Sequence, residues 1–117
     1  MSTTVLIVDD HAGFRELARR MLEAAGYEIV GEAHDAASAL AAAARLHPDV
    51  VLLDIQLPDL DGFAVSERLA ADDDPPAVVL ISSRDESAYR RRLAGSPARG
   101  FIAKSKLSGL ALGALVR

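Results

Sequence analysis

The chain has 117 residues, half of them hydrophobic and 26% charged, with a formal net charge of −4 at pH 7. That is enough chain for one domain with its own core, and the balance is that of an ordinary soluble globular protein. The absence of cysteine excludes a disulfide framework and a thiolate metal site, and the acidic balance leaves no chain-wide basic footprint for nucleic acid.

Met1-Ser-Thr-Thr4 has no basic segment ahead of an apolar run, so no secretory leader is expected and the expected location is cytoplasmic. No apolar run approaches the roughly 18 residues of a membrane span. Thr4-Val-Leu-Ile-Val8 reads as a first strand running into the acid pair Asp9-Asp10. Phe14, Leu17, Ala18, Met21, Leu22 and Ala25 recur at helical spacing, and Gly26 closes that helix. Tyr27 to Ala33 reads as a second strand broken by Gly31. Asp35 caps an Ala-rich helix running to about His47, where Pro48 ends it.

Val50-Val-Leu-Leu53 is a third strand that ends on Asp54. The loop Gln56 to Gly62 follows, then a helix from about Phe63 to Ala71. Asp72-Asp-Asp-Pro-Pro76 turns the chain into a fourth strand, Val78-Val-Leu-Ile81, which ends on the hydroxyls Ser82 and Ser83. A shorter helix is expected over about Asp85 to Ala94, broken by Gly95-Ser-Pro97. The fifth strand, Gly100-Phe-Ile-Ala103, ends on Lys104, and the last helix starts near Leu107. There is no internal repeat and no linker, so residues 1–117 are read as a single domain without an output domain.

Strands alternating with helices predict a parallel sheet covered on both faces, an α/β doubly wound architecture. Its site belongs at the carboxyl edge, where the strand order reverses. If the first and third strands are neighbours there, Asp9, Asp10 and Asp54 come within reach of one cation. Oxygen-only ligands favour a hard ion such as Mg²⁺. With Lys104 the cluster carries roughly −2, which a divalent ion neutralises. A carboxylate in that setting can act as a nucleophile towards phosphorus, while Lys104 and Ser82 supply donors for phosphoryl oxygens.

Val5-Leu-Ile-Val-Asp-Asp-His11, Pro48-Asp-Val-Val-Leu-Leu-Asp54, Leu57-Pro-Asp-Leu-Asp-Gly62, Ser82 and Gly100-Phe-Ile-Ala-Lys104 together resemble the receiver domain of bacterial two-component response regulators. The resemblance covers essentially the whole chain, and the Asp-Asp-His opening and the Ala-Arg-Gly-Phe approach to Lys104 are most similar to receivers that precede LuxR-type DNA-binding domains. It implies a flavodoxin-like fold, a five-stranded parallel sheet in the order 2-1-3-4-5 with about five helices. It also implies that Asp54 is the phosphoacceptor, loaded by a sensor histidine kinase, a phosphotransfer protein or a small phosphodonor. Asp10, Asp54 and the main-chain carbonyl of Gln56 would bind Mg²⁺, or Mn²⁺, with Asp9 contributing through water. Ser82 and Lys104 would grip the phosphoryl group, Phe101 would be the switch aromatic, and Pro58 and Gly62 would shape the loop. Gln56 and Arg84 would flank the water's path and tune the lifetime of the phosphorylated state.

Some positions depart from the commonest pattern of that family. Ser82 keeps the hydroxyl of the frequent Thr but loses its methyl. Phe101 cannot make the hydrogen bond that Tyr makes in some relatives. The expected function is a phosphorylation-driven signalling switch rather than a turnover enzyme. A phosphorylation-independent interaction module is the alternative. An aspartyl-phosphate hydrolase is not supported, because Gln56 stands where such an enzyme carries its general acid.

The remaining polar features have structural readings. His11 is read as the start of the first helix, His34 and His47 as solvated helix boundaries, and Asp72 to Asp74 as a polar helix end. Arg90-Arg91-Arg92 is read as a solvated helix face, so no direct nucleic-acid binding and no membrane binding are expected of this domain. In the last helix Leu107, Leu110, Ala111, Ala114 and Leu115 form a stripe expected to face the sheet. Leu112 and Val116 would then lie outside it, suggesting an interface, such as a homodimer contact, that includes this helix.

Overall fold

The computed structural model describes residues 2–116. Five strands, β1 (Thr4–Val8), β2 (Glu28–Ala33), β3 (Val50–Asp54), β4 (Ala77–Ser82) and β5 (Gly100–Ala103), form one sheet in the order β2-β1-β3-β4-β5. Every pairing is parallel, as the alternation of strands and helices requires. Five α-helices alternate with them: α1 (Ala12–Ala24), α2 (Ala36–Leu46), α3 (Gly62–Ala70), α4 (Arg90–Ala94) and α5 (Gly109–Val116).

The order reverses once, at β1. Right-handed crossovers therefore send α1 to one face and α2, α3 and α4 to the other. Alternate strand residues divide accordingly between two cores. Leu6, Val8, Val51, Leu53 and Leu80 pack with the small face of α2 (Ala36, Ala39, Ala42, Ala43) and with Phe63, Val65 and Leu69 of α3. Val5, Ile7, Leu52, Val79, Ile81 and Ile102 pack with Ala18 and Leu22 of α1 and with Leu107 and Leu112. The central strands β1 and β3 are buried on both faces, which explains their uninterrupted apolar runs.

Local chemistry sets most boundaries. Gly26, at φ +97°, supplies the left-handed residue that follows α1. Asp35 caps α2 by accepting the Ser38 N–H at 2.8 Å, and the Ser38 hydroxyl answers the Asp35 backbone N–H at 3.3 Å. His47 ends α2 in the left-handed region at φ 48°, immediately before Pro48. The break expected at Gly31 is a register shift: Val5 pairs Ile29 while Leu6 pairs Gly31.

Two expectations need correction. The segment after β4 opens as a 3₁₀ turn, Glu86–Tyr89, and only its last five residues, Arg90–Ala94, are α-helical. The last helix starts at Gly109, because Lys104–Lys106 is also a 3₁₀ turn and Leu107 is extended. Its inward face is therefore rotated. Leu107, Ala111 and Leu115 of the expected stripe do pack against the core, but Leu110, at 83% exposure, and Ala114 face outward, while Leu112 is fully buried and Val116 packs inward in their place. Leu17 of α1 likewise faces outward, at 56% exposure.

Candidate functional site

The carboxyl ends of β1, β3, β4 and β5 carry Asp9, Asp54, Ser82 and Lys104 to one edge of the sheet. Asp9, the residue after β1, is fully buried and donates its backbone N–H to the Ala33 carbonyl at 3.0 Å, which continues the ladder to β2. Asp54 ends β3 at 3% exposure. Its Oδ1 accepts the Gln56 N–H at 3.1 Å and its Oδ2 accepts a hydrogen bond from Lys104 Nζ at 3.2 Å. The same ammonium lies 2.6 Å from Asp9 Oδ2. Asp10 stands beside them on the exposed side, and oxygen atoms of Asp9, Asp10 and Asp54 and a ring nitrogen of His11 lie within 4.8 Å of one another.

Neighbouring side chains hold this cluster. Arg15 Nη1 donates to the Asp9 carbonyl at 2.6 Å, and Arg15 and Arg19 share Glu32 at 3.0 and 2.8 Å. The His11 N–H donates to Asp9 Oδ1 at 2.8 Å, and its Nδ1 sits 3.0 Å from Asp10 Oδ1. The Phe14 ring centroid lies 4.7 Å from Lys104 Nζ, a cation–π distance. Gly62 lets α3 begin against the end of β3, since a Cβ there would meet the Asp54 carbonyl oxygen at 2.6 Å. Asp59 in the intervening loop accepts the N–H groups of Ala36 and Ala37 at 2.8 and 3.1 Å, tying the loop to the start of α2.

The electrostatics follow from burial. Loss of solvent pushes the Asp54 carboxyl above its ordinary value, and the nearby Asp9 charge pushes the same way; the Gln56 N–H and Lys104 only partly offset this. For Lys104, burial opposes the charged form. Its contact with Asp9, the charges of Asp54 and Asp9 and its hydrogen bond to Asp54 outweigh burial and raise its pKa. Three carboxylates and one ammonium leave the edge at about −2. Asp9 Oδ2 is buried and receives no directed hydrogen bond; Lys104 answers it only as a charge. An oxygen-rich, under-compensated cluster of this kind fits a hard divalent cation.

Ser82 is fully buried at the end of β4, next to Ile81, the residue that pairs with Asp54. Its Oγ accepts the Arg84 N–H at 3.1 Å and shares a 3.1 Å hydrogen bond with the Tyr89 hydroxyl. Phe101 is half-buried on β5 and meets Tyr89 at a ring-centroid distance of 5.9 Å. Gln56 and Arg84 reach the site through their backbone N–H groups, and both residues are exposed. Among the expected site residues, the structure thus joins Asp9, Asp10, Asp54 and Lys104 directly. Ser82 lies at the same edge with its hydroxyl engaged elsewhere.

Tyr89, Phe14 and Arg15 are not singled out by sequence reasoning. Phe14 merges into the apolar stripe of α1, and Arg15 is one of several helix arginines. Tyr89 falls in a 3₁₀ turn, whose three-residue period escapes a search for α-helical spacing.

A doubly wound parallel sheet with buried acids and a lysine at its carboxyl edge is the architecture of the flavodoxin-like receiver class. The family model for the response regulator receiver domain matches residues 5–111, and the chain belongs to that family. It is 38% identical over 111 residues to a putative transcriptional regulator of Pseudomonas aeruginosa, covering 94% of this chain and 54% of the relative. To the virulence-factor transcription regulator BvgA of Bordetella pertussis it is 36% identical over 104 residues, covering 89% of this chain and 50% of the relative. The chain thus spans about half the length of these curated relatives.

Among solved structures, it is similar to the receiver domain of the putative response regulator NarL from Mycobacterium tuberculosis. The TM-score is 0.86 at 34% identity, over 97% of this chain and 96% of that one. A LuxR-family two-component response regulator from Aurantimonas gives a TM-score of 0.82 at 29% identity, over 90% of this chain and 76% of that one. Sheet order and topology are those of the flavodoxin-like receiver fold. Among the described residues no helix is long and apolar enough to cross a membrane.

Proposed function

We propose that Asp54 accepts a phosphoryl group from a phosphohistidine partner, a histidine kinase or phosphotransfer protein, and that the resulting acyl phosphate switches a protein-binding surface. The carrying observation is the Asp54 carboxylate itself. It is 3% exposed and held between the Gln56 N–H and the Lys104 ammonium, with the Asp9 charge alongside. A carboxylate oxygen of Asp54 attacks phosphorus and the P–N bond to the donor imidazole breaks. The electron pair stays on nitrogen, and the imidazole leaves neutral after taking up a proton. Lys104 neutralises charge on the transferring group, and the Gln56 N–H orients the nucleophile.

The acids fit Mg²⁺, or Mn²⁺, which Asp10, Asp54 and the main-chain carbonyl of Gln56 would hold, with Asp9 contributing alongside. Such an ion supplies charge neutralisation for the phosphoryl oxygens. Arg84 and Gln56, both exposed beside the acceptor, tune how fast water returns the carboxylate. The chain then acts as a stoichiometric phosphoacceptor that assists its own modification rather than as a turnover enzyme. Its output face includes α5, whose Leu110 is exposed and suited to a second copy or a partner protein.

The test is intact mass after incubation with acetyl phosphate, with and without Mg²⁺. A phosphoryl mass gain that needs Mg²⁺ and disappears in Asp54→Asn is expected. Absence of modification in a folded sample that binds Mg²⁺ would overturn the reading in favour of a phosphate-independent binding module.

A further inference from the structure

Ser82 is expected to donate its hydroxyl to a phosphoryl oxygen on Asp54, yet that hydroxyl is engaged by another group. Its Oγ accepts the Arg84 N–H and pairs with the Tyr89 phenol at 3.1 Å. Tyr89 is 8% exposed, and its ring lies between Phe63 and Phe101 at centroid distances of 6.0 and 5.9 Å. Ser82 is the side-chain partner of the Tyr89 hydroxyl among the described residues. Either oxygen of this pair can be the donor, and a hydroxyl carries one proton, so a Ser82 that donates to Tyr89 cannot also donate to a phosphoryl oxygen. Where Tyr89 donates instead, turning the Ser82 Oγ towards Asp54 removes the acceptor that the buried phenol uses.

Tyr89 is also the one buried residue of the segment between β4 and β5 apart from those strands' own ends. It closes the 3₁₀ turn Glu86–Tyr89, and α4 behind it has no fully buried residue. Helix α4 itself is held by Leu93, which packs half-buried against the core, and by Arg92, which pairs with Asp61 at 2.6 Å and stacks on Phe63 at 4.2 Å. Phe101 has no hydroxyl with which to replace the phenol.

We propose that Tyr89 is a positioning residue that latches Ser82 in the unmodified chain, so that phosphoryl acceptance must break the Ser82–Tyr89 bond and thereby unfasten residues 86–94. The inference rests on Asp54 being the phosphoacceptor. A buried phenol deprived of its partner is unfavourable, so once Ser82 turns to the phosphoryl group the ring leaves its place between Phe63 and Phe101 or draws in water. Either outcome loosens α4 from α3 and β5. The chemical event at Asp54 is thus transmitted to a helix by a hydrogen-bond exchange, and Phe101 serves as one wall of the ring's slot.

Beryllofluoride with Mg²⁺, a stand-in for the phosphoryl group, provides the test. Tyr89→Phe keeps the ring and removes the competing hydroxyl, so beryllofluoride should bind about three- to tenfold more tightly than to the wild-type chain. In a Ser82→Ala background the same substitution should change the affinity by less than about twofold, because the coupling runs through that hydroxyl. In Tyr27→Phe, where Tyr89 is the remaining tyrosine and there is no tryptophan, beryllofluoride should shift the tyrosine emission. Thermal melts establish that each variant is folded. Equal affinities of wild type and Tyr89→Phe, or an equal gain in the Ser82→Ala background, overturn the latch while leaving the phosphoacceptor reading intact. Failure of the folded wild-type chain to bind beryllofluoride overturns both.

Discussion

At the carboxyl edge of the sheet, Lys104 is shared between two buried carboxylates, Asp9 at 2.6 Å and Asp54 at 3.2 Å. Removing a member of this group therefore has a sign that depends on which charge is lost. In Lys104→Met two buried acids lose their counter-charge, and the expected destabilisation without Mg²⁺ is about 3 kcal/mol. Adding Mg²⁺ should restore part of it, which urea melts with EDTA and with Mg²⁺ would show. Asp54→Asn relieves like-charge crowding instead. The folded pKa of Asp54 is raised, by burial first and by Asp9 second. Its contribution to stability is thus full below the unfolded value and lost as pH rises through the folded one. At neutral pH the charged Asp54 is a liability. The Asn variant should be more stable by about 1 kcal/mol in EDTA, seen as a rise in Tm, while losing the phosphoryl mass gain.

Among the elements, α3 is the one whose placement the site depends on most directly. Its first residue, Gly62, sits against the Asp54 carbonyl and donates its N–H to the Ile55 carbonyl at 2.8 Å. Gly62→Ala must push α3 away from the end of β3, at an expected cost of about 1–3 kcal/mol in chemical denaturation. Asp61 caps the same helix by accepting the Ala64 N–H at 3.0 Å, so Asp61→Ala should cost about 1 kcal/mol while leaving Asp54 able to accept phosphate. Helix α5 tests a different property. Leu110 is 83% exposed and makes no core contribution, so Leu110→Asp should leave Tm within about 2 °C of wild type. If α5 forms part of the output face, light scattering should show weaker self-association of the beryllofluoride-bound variant. Undiminished association would remove α5 from that face.

At the scale of the whole molecule, four side-chain carboxyls among the described residues favour the charged form in the folded state. Glu32 is lowered because its bonds to Arg19 and Arg15 outweigh burial, and Asp35 because it accepts hydrogen bonds from Ser38. Asp59 is lowered by the N–H groups of Ala36 and Ala37 against a smaller cost of burial, and Asp61 because Arg92 and the Ala64 N–H outweigh burial. Depressed folded values contribute stability above the unfolded values and lose it as pH falls through the folded ones. Asp54 runs the other way, but alone. Thermal melts from pH 7 to pH 3 should therefore hold a plateau and then fall below about pH 4, the ordinary carboxylate range.

Much of this molecule was written locally in the chain. The apolar runs of β1 and β3, the Asp35 cap, Gly26, and the acids and lysine placed at strand ends are short-range signals, because strand burial and helix capping act over a few residues. They suffice to place Asp9, Asp54, Ser82 and Lys104 at one sheet edge. The inward face of α5 was not legible. It depends on where a 3₁₀ turn hands over to an α-helix, and the handover turns the helix by about a quarter turn, so that Leu110 and Ala114 swing outward and Leu112 and Val116 inward while Ala111 and Leu115 stay against the core. The partner of Ser82 was not legible either. Tyr89 reaches it only because α3 and β5 supply Phe63 and Phe101 as walls, and packing between segments distant in sequence leaves no periodic trace in the chain.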